Sequence, residues 1–275
     1  MKKIIISILL IIPCLAFSGG WPKKKGTGYY KLGYSIINGM HFFDDAGSKI
    51  PLARNLRFNT LSVYGEYGIT DRLTAITYIP IATTAKLEMQ SGLASASITT
   101  VGDINLGFRY GLIVDKPNVF SLSATFGLPT GRTSTDTSGG EASLQTGDGE
   151  FNQLIKIESG HSLGNGFYAS SYLGVNIRSQ GFSEEIQFGG EIGHVNDALV
   201  SILKFQSVNS LNNGDNTASA NSDIFNNNME LLTIAPEFAL KLSNKFGLSV
   251  NHTIYLSGKK TLASPNTTIG IFWDL

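Results

Sequence analysis

Charge is scarce in this chain. Asp, Glu, Lys and Arg make up 15% of its 275 residues, against roughly 25% in an ordinary soluble protein. The basic and acidic residues cancel to a formal net charge of zero, so no basic footprint for nucleic acid is present. There is one cysteine, Cys14. Long apolar runs are missing as well. The longest, 4–15, falls short of the roughly 20 residues that span a bilayer as a helix. A hydrophobic content of 42% is too low for a bundle of membrane helices.

The short apolar run has another reading. Met1-Lys2-Lys3 is a basic start, 4–15 an apolar centre, and Ala16-Phe17-Ser18 supplies small residues for cleavage after Ser18. This is the pattern of a secretory signal peptide. The expected division is a leader at 1–18 and one β-barrel at 19–275. Removing Lys2 and Lys3 leaves 19 basic and 21 acidic residues. Cys14 leaves with the leader, so the exported chain has no disulfide and no cysteine metal site. Ile12-Pro13 is a poor match to the small residues that precede a lipidated cysteine.

What is abundant is alternation with period two, together with 31 glycines. In 104–112 one face reads Ile104, Leu106, Phe108, Tyr110, Leu112, and the other Asn105, Gly107, Arg109, Gly111. In 120–128 the aromatic and aliphatic residues alternate with Ser121, Ser123, Thr125 and Gly127. A soluble sandwich would put Lys, Glu and Thr on its second face. Apolar-out with small-polar-in is the pattern of a membrane barrel. The predicted class is all-β, a transmembrane antiparallel β-barrel of about twelve strands, with ten or fourteen as alternatives. The segments are 29–41, 57–69, 72–82, 101–113, 118–129, 151–161, 166–178, 184–195, 198–208, 229–242, 246–257 and 266–275; the third, sixth and ninth have ambiguous faces. Short turns at 69–72, 115–118, 164–166, 196–197 and 243–245 alternate with polar loops at 43–56, 83–100, 130–150, 209–228 and 258–265. Short turns on the periplasmic side and long loops outside are the rule for such barrels.

Aromatic residues near strand ends (Tyr29, Tyr30, Tyr34, Tyr64, Tyr67, Tyr110, Phe120, Phe246 and Trp273) are expected in an interfacial girdle. The last strand, ending Phe272-Trp273-Asp274-Leu275, resembles the segment that such proteins present to the outer-membrane assembly machinery, although it ends in Leu. The implied partners are outer-membrane lipid, that machinery and a small-molecule solute, with no nucleic acid and no cofactor.

Five segments taken in order resemble the outer-membrane channel family named after the meta-pathway of phenol degradation, also called MetA-like or SphA-like. They are Gly28-Tyr29-Tyr30-Lys31-Leu32-Gly33, 64–73, 102–110, Gly127-Leu128-Pro129-Thr130-Gly131 and Gln145-Thr146-Gly147-Asp148-Gly149. They cover roughly the first 150 residues. The resemblance implies a barrel for uptake of small, often hydrophobic molecules.

The candidate site is a lumen ring of charge. On the predicted register Lys31, Glu66, Arg109, Lys156, Glu158, Glu191, Glu237 and Lys241 point inward in the lower or middle lumen, four basic and four acidic. Buried charges need partners; such a ring either stiffens the lumen or forms a constriction that selects solutes. The segment 19–27 before the first strand is either a loose terminus or a plug entering from below. The expected function is an outer-membrane channel or transporter for small solutes. An adhesin acting through its outer loops is the alternative, and a barrel lipase ranks behind both. No Gly-x-Ser-x-Gly elbow occurs, and of His41, His161, His194 and His252 only His41 remains a weak catalytic candidate. Thr130-Gly131-Arg132 and Gly147-Asp148-Gly149 read as loop turns rather than phosphate cradles, since no helix follows them.

Overall fold

A computed structural model describes residues 19–89, 96–114, 117–133, 144–215 and 227–275. The leader, and the middles of the loops at 83–100, 130–150 and 209–228, lie outside the described residues. The elements are β1 (Gly28–Phe43), β2 (Lys49–Gly68), β3 (Leu73–Met89), β4 (Ala96–Thr100), β5 (Ile104–Ile113), β6 (Asn118–Leu128), β7 (Asn152–Gly164), β8 (Phe167–Arg178), β9 (Glu185–Val195), β10 (Leu199–Ser210), β11 (Glu230–Lys241), β12 (Phe246–Lys259), β13 (Thr261–Leu262) and β14 (Asn266–Asp274). All pairings are antiparallel and, apart from β4 and β13, follow chain order, and β1 pairs with both β2 and β14. The sheet therefore closes on itself and has no edge. β4 and β5 both pair with β3 and form one barrel strand broken at 101–103, and β13 and β14 do the same against β1. The result is a closed barrel of twelve strands.

The distribution of residues is the reverse of a soluble protein's. Leu173, on the outside of β8, is 56% exposed, while Glu66, inside β2, is 1% exposed. The outer faces of β5 and β6 carry Leu106, Phe108, Tyr110, Leu112, Phe120 and Leu122, all exposed. So large an uncovered apolar belt is stable only against lipid hydrocarbon. This is a barrel of the outer membrane.

Three of the long loops expected from the sequence are shorter than predicted. β2 begins at Lys49, β3 runs on to Met89 and β12 to Lys259, so the strands outreach the apolar belt and stand in water above it. The outward side of β2 changes there from Leu61 and Val63 to Arg57 and Asn59, which is why this stretch reads as a loop. The first outer connection is only 44–48, closed by Asp44 Oδ1 accepting the N–H groups of Ala46 and Ser48.

The aromatic girdle also needs correction. Tyr30 and Trp273 stack on the outside with ring centroids 5.8 Å apart, and Tyr67, Tyr110, Phe120 and Phe246 are exposed at the short-turn end. Tyr29 and Tyr64 instead face inward. They pack with Phe272, Val200, Ile202 and Ala239 in an apolar cluster that fills one side of the lower lumen.

The candidate functional site: an occupied, charged lumen

Residues 19–27 enter the lumen from the short-turn end. Backbone groups hold the segment there: Ser121 Oγ donates to Gly20 O, Arg109 Nη1 donates to Trp21 O at 3.4 Å, and Lys23 N–H donates to Thr74 Oγ1 at 2.7 Å. Lys23 Nζ lies 3.9 Å from Asp274. The indole of Trp21 meets Tyr168 edge-on at 5.7 Å. It also lies against Gly160, where an added Cβ would stand 2.5 Å from the ring, and Pro22 lies against Gly111 in the same way. These two glycines leave the space that the segment occupies.

Above and beside the segment are the lumen charges, in two groups. In the first, Arg109 on β5 reaches to both sides. Its Nε is 2.6 Å from Glu158 on β7 and its Nη1 3.2 Å from Glu66 on β2. Lys156 takes the other oxygen of Glu158 at 2.9 Å, and Tyr64 donates its hydroxyl to Glu66 at 2.6 Å. One guanidinium thus ties together strands two positions away in each direction. In the second group Glu237 on β11 accepts from Lys31 on β1 at 2.9 Å and from Lys204 on β10 at 2.7 Å. Glu191 on β9 accepts from Tyr168 at 3.0 Å and pairs in register with Lys204.

Of the eight residues singled out in the sequence, Lys31, Glu66, Arg109, Lys156, Glu158, Glu191 and Glu237 lie in the lumen as described. Lys241 does not join them. It sits at the short-turn rim, where its Nζ donates to the carbonyl of Asn196 at 3.1 Å. Lys204 takes its place, and sequence reasoning missed it. On β10 the neighbouring inward residues are Val200 and Ile202, which face the apolar cluster, so no polar face stands out there. Its signal was a lysine in a segment that must lie in lipid, where only an inward position is cheap.

A third cluster sits under the outer loops. The Asp103 carboxylate, in the break between β4 and β5, accepts the N–H of Gly131 at 2.8 Å and of Asp148 at 3.3 Å. Arg132 N–H donates to Thr146 Oγ1, and that hydroxyl donates to Val101 O. Three short sequence motifs distant in the chain meet around this one carboxylate. Beside them Arg178 binds Glu150 and Glu185, at 2.6 and 2.7 Å. Leu144, from the same loop, packs on Leu56, Phe58, Ala85, Leu87 and Ile98 inside the outer mouth.

The histidines form no catalytic constellation among the described residues. His161 meets Asn118, His252 meets Thr267, and His194 lies on Phe167. The carbonyl of His41 accepts from Ala263 N–H at 2.9 Å.

Closed barrel, apolar belt and occupied polar lumen together define the outer-membrane barrel class. No family model matches the chain, and no curated protein matches it in sequence. Among solved structures it is similar to an outer-membrane channel from Pseudomonas putida F1, with TM-score 0.66 and 13% identity over 94% of this chain and 98% of that one. It is also similar to the NanC porin, with TM-score 0.52 and 8% identity over 88% and 100%. A third is the translocator domain of the autotransporter NalP from Neisseria meningitidis, with TM-score 0.51 and 12% identity over 91% and 88%. Identities this low establish the shared fold, and one fold carries several functions.

Proposed function

We propose that this chain is an outer-membrane channel for small organic solutes, many of them partly hydrophobic, with Lys31, Lys156, Lys204 and their carboxylate partners lining the path. The carrying observation is the lumen. A cavity of about 160 Å³ bounded by Gly20, Lys156, Glu158 and Glu191 and one of about 290 Å³ bounded by Lys31, Glu237 and Asn251 share Lys204 and Gln206. A barrel whose interior served only as a core would fill this space with side chains. The apolar residues inside the outer mouth and the sequence resemblance support the hydrophobic part of the reading. The N-terminal segment narrows the lower end, so passage depends on its position. Single-channel recording of the folded protein in a planar bilayer tests the proposal. Discrete conductance steps are expected, and a folded barrel that stays silent with and without residues 19–24 would overturn it.

A further inference from the structure

The formal charges of the lumen balance, but their accessibility does not. Glu66, Glu158, Glu191 and Glu237 are each 5% exposed or less, as is Arg109. The lysine side chains stand forward of them, 15% exposed at Lys31, 20% at Lys156 and 30% at Lys204. A solute in the lumen meets ammonium groups, with the carboxylates behind.

The larger cavity shows this most clearly. Glu237 is the one acidic residue among those that bound it, and each of its oxygens is already engaged by a lysine. Glu191, the register partner of Lys204, bounds the neighbouring cavity and makes the wider group neutral, but among the residues facing this chamber Lys31 and Lys204 outnumber Glu237 by one charge. An ammonium has three N–H donors, so each lysine keeps two beyond its bond to Glu237. Gln206, Thr233, Asn251 and Thr253 add neutral donors and acceptors around the same space. The volume is about 290 Å³, whereas a cavity of about 150 Å³ is enough for benzene.

From this we infer that the chamber is a binding site for a small organic carboxylate, of the size of a single-ring acid, held by Lys31 and Lys204. The carboxylate lies between the two ammonium groups, and the body of the solute rests against the amide and hydroxyl wall. The inference rests on the channel reading only for how the solute arrives; binding itself does not require conduction. The apolar outer mouth and the cationic chamber below it then select the same molecule, one with an apolar body and an anionic end.

The test is equilibrium binding to the folded barrel in detergent micelles, by calorimetry or ligand-observed NMR, with benzoate and its uncharged counterpart benzamide as probes. Benzoate is expected to bind at least about tenfold more tightly than benzamide, the scale of a charge-assisted hydrogen bond. Lys204→Met should weaken benzoate by a similar factor, Lys204→Arg should retain most of the affinity, and neither should change benzamide. Lys31→Met provides a second reading, and heat-modifiable gel migration reports that each variant is folded. Equal affinity for the two probes, no binding of benzoate, or benzoate binding indifferent to both Met variants would overturn the inference. In bilayers the same chamber predicts chloride preference over potassium. A folded protein that binds benzoate but never conducts would refute the channel reading and leave the carboxylate site standing.

Discussion

Gly160→Val tests whether the N-terminal segment controls the lumen. Gly160 faces inward from β7, and a Cβ there would lie 2.5, 2.6 and 2.8 Å from three atoms of the Trp21 ring. Carbon atoms rest at about 3.5–4.0 Å, so the ring must retreat by about 1 Å, and the valine methyl groups ask for more. Behind it stands Tyr168, which leaves little room. Overpacking of this kind costs about 1–3 kcal/mol. The stretch around Trp21 is held by hydrogen bonds to Ser121, Arg109 and Thr74, each about 1 kcal/mol net, while Lys25, Gly26 and Thr27 are tied separately to Asp71 and Gly68 at the rim. The penalty is therefore comparable with the hold on the Trp21 stretch and acts there. A change of about 2 kcal/mol moves the ratio of seated to displaced segment about 30-fold. Conductance should rise, with openings longer or larger than in the parent. The chain has two tryptophans, Trp21 and Trp273, so Trp273→Phe isolates the fluorescence of Trp21. Its quenching by iodide should increase in the Gly160→Val variant. Unchanged conductance together with unchanged quenching, in a barrel shown to be folded, would refute the reasoning.

Other substitutions probe other parts of the structure. Arg109→Met leaves Glu66 and Glu158 buried with less compensation and should cost about 3–5 kcal/mol in urea unfolding of the barrel in lipid vesicles; adding Glu66→Gln should recover part of it. Asp103→Ala removes the acceptor shared by the Gly131 and Asp148 amides. These two amides should lose hydrogen-exchange protection, by about 1–3 kcal/mol of local stability, while amides of β8 and β9 keep theirs. Leu173→Arg puts a cation on the outer face midway along β8 and should destabilise the barrel by about 2–4 kcal/mol, read by the same unfolding assay.

The barrel was legible in the sequence where the two faces differ most. On β5, and on β6 from Phe120 onward, every outward residue is apolar and every inward one is small or polar, with Asn118 outward and Val119 inward as the departures at the start of β6, and those strands fall where the alternation puts them. The three ambiguous segments have physical explanations. On β3, Ile81 is an extra residue opposite the Leu61/Ser62 step of β2, so the inward parity changes from Tyr78 and Pro80 to Thr83 and Ala85. On β7, inward Leu154 and outward Gln153 oppose the general pattern. On β10, Val200 and Ile202 turn into an apolar patch of the lumen, and Lys204 was overlooked for that reason. The charge cluster was legible because an ionised side chain in a membrane strand has one inexpensive direction to point. The pairing within it was not, since Arg109 selects partners two strands away and Lys31 reaches across β12 and β14. The meeting of three motifs at Asp103 could not be read from spacing, because it depends on a loop folding back into the barrel mouth.

The seam between β1 and β14 has a consequence for how the molecule comes into being. Gly28 and Leu275 exchange backbone hydrogen bonds at 3.2 and 2.8 Å, so the first strand waits for the last residues of the chain before its ladder is complete. Until then both strands at the opening carry unpaired N–H and C=O groups that hydrocarbon cannot satisfy. The segment 19–27, which ends up within the cylinder, must be on the inner side of the curling sheet before this seam zips shut. Loss of the last strand would therefore not shorten the barrel by one stave; it would leave an open sheet, with its future interior facing lipid.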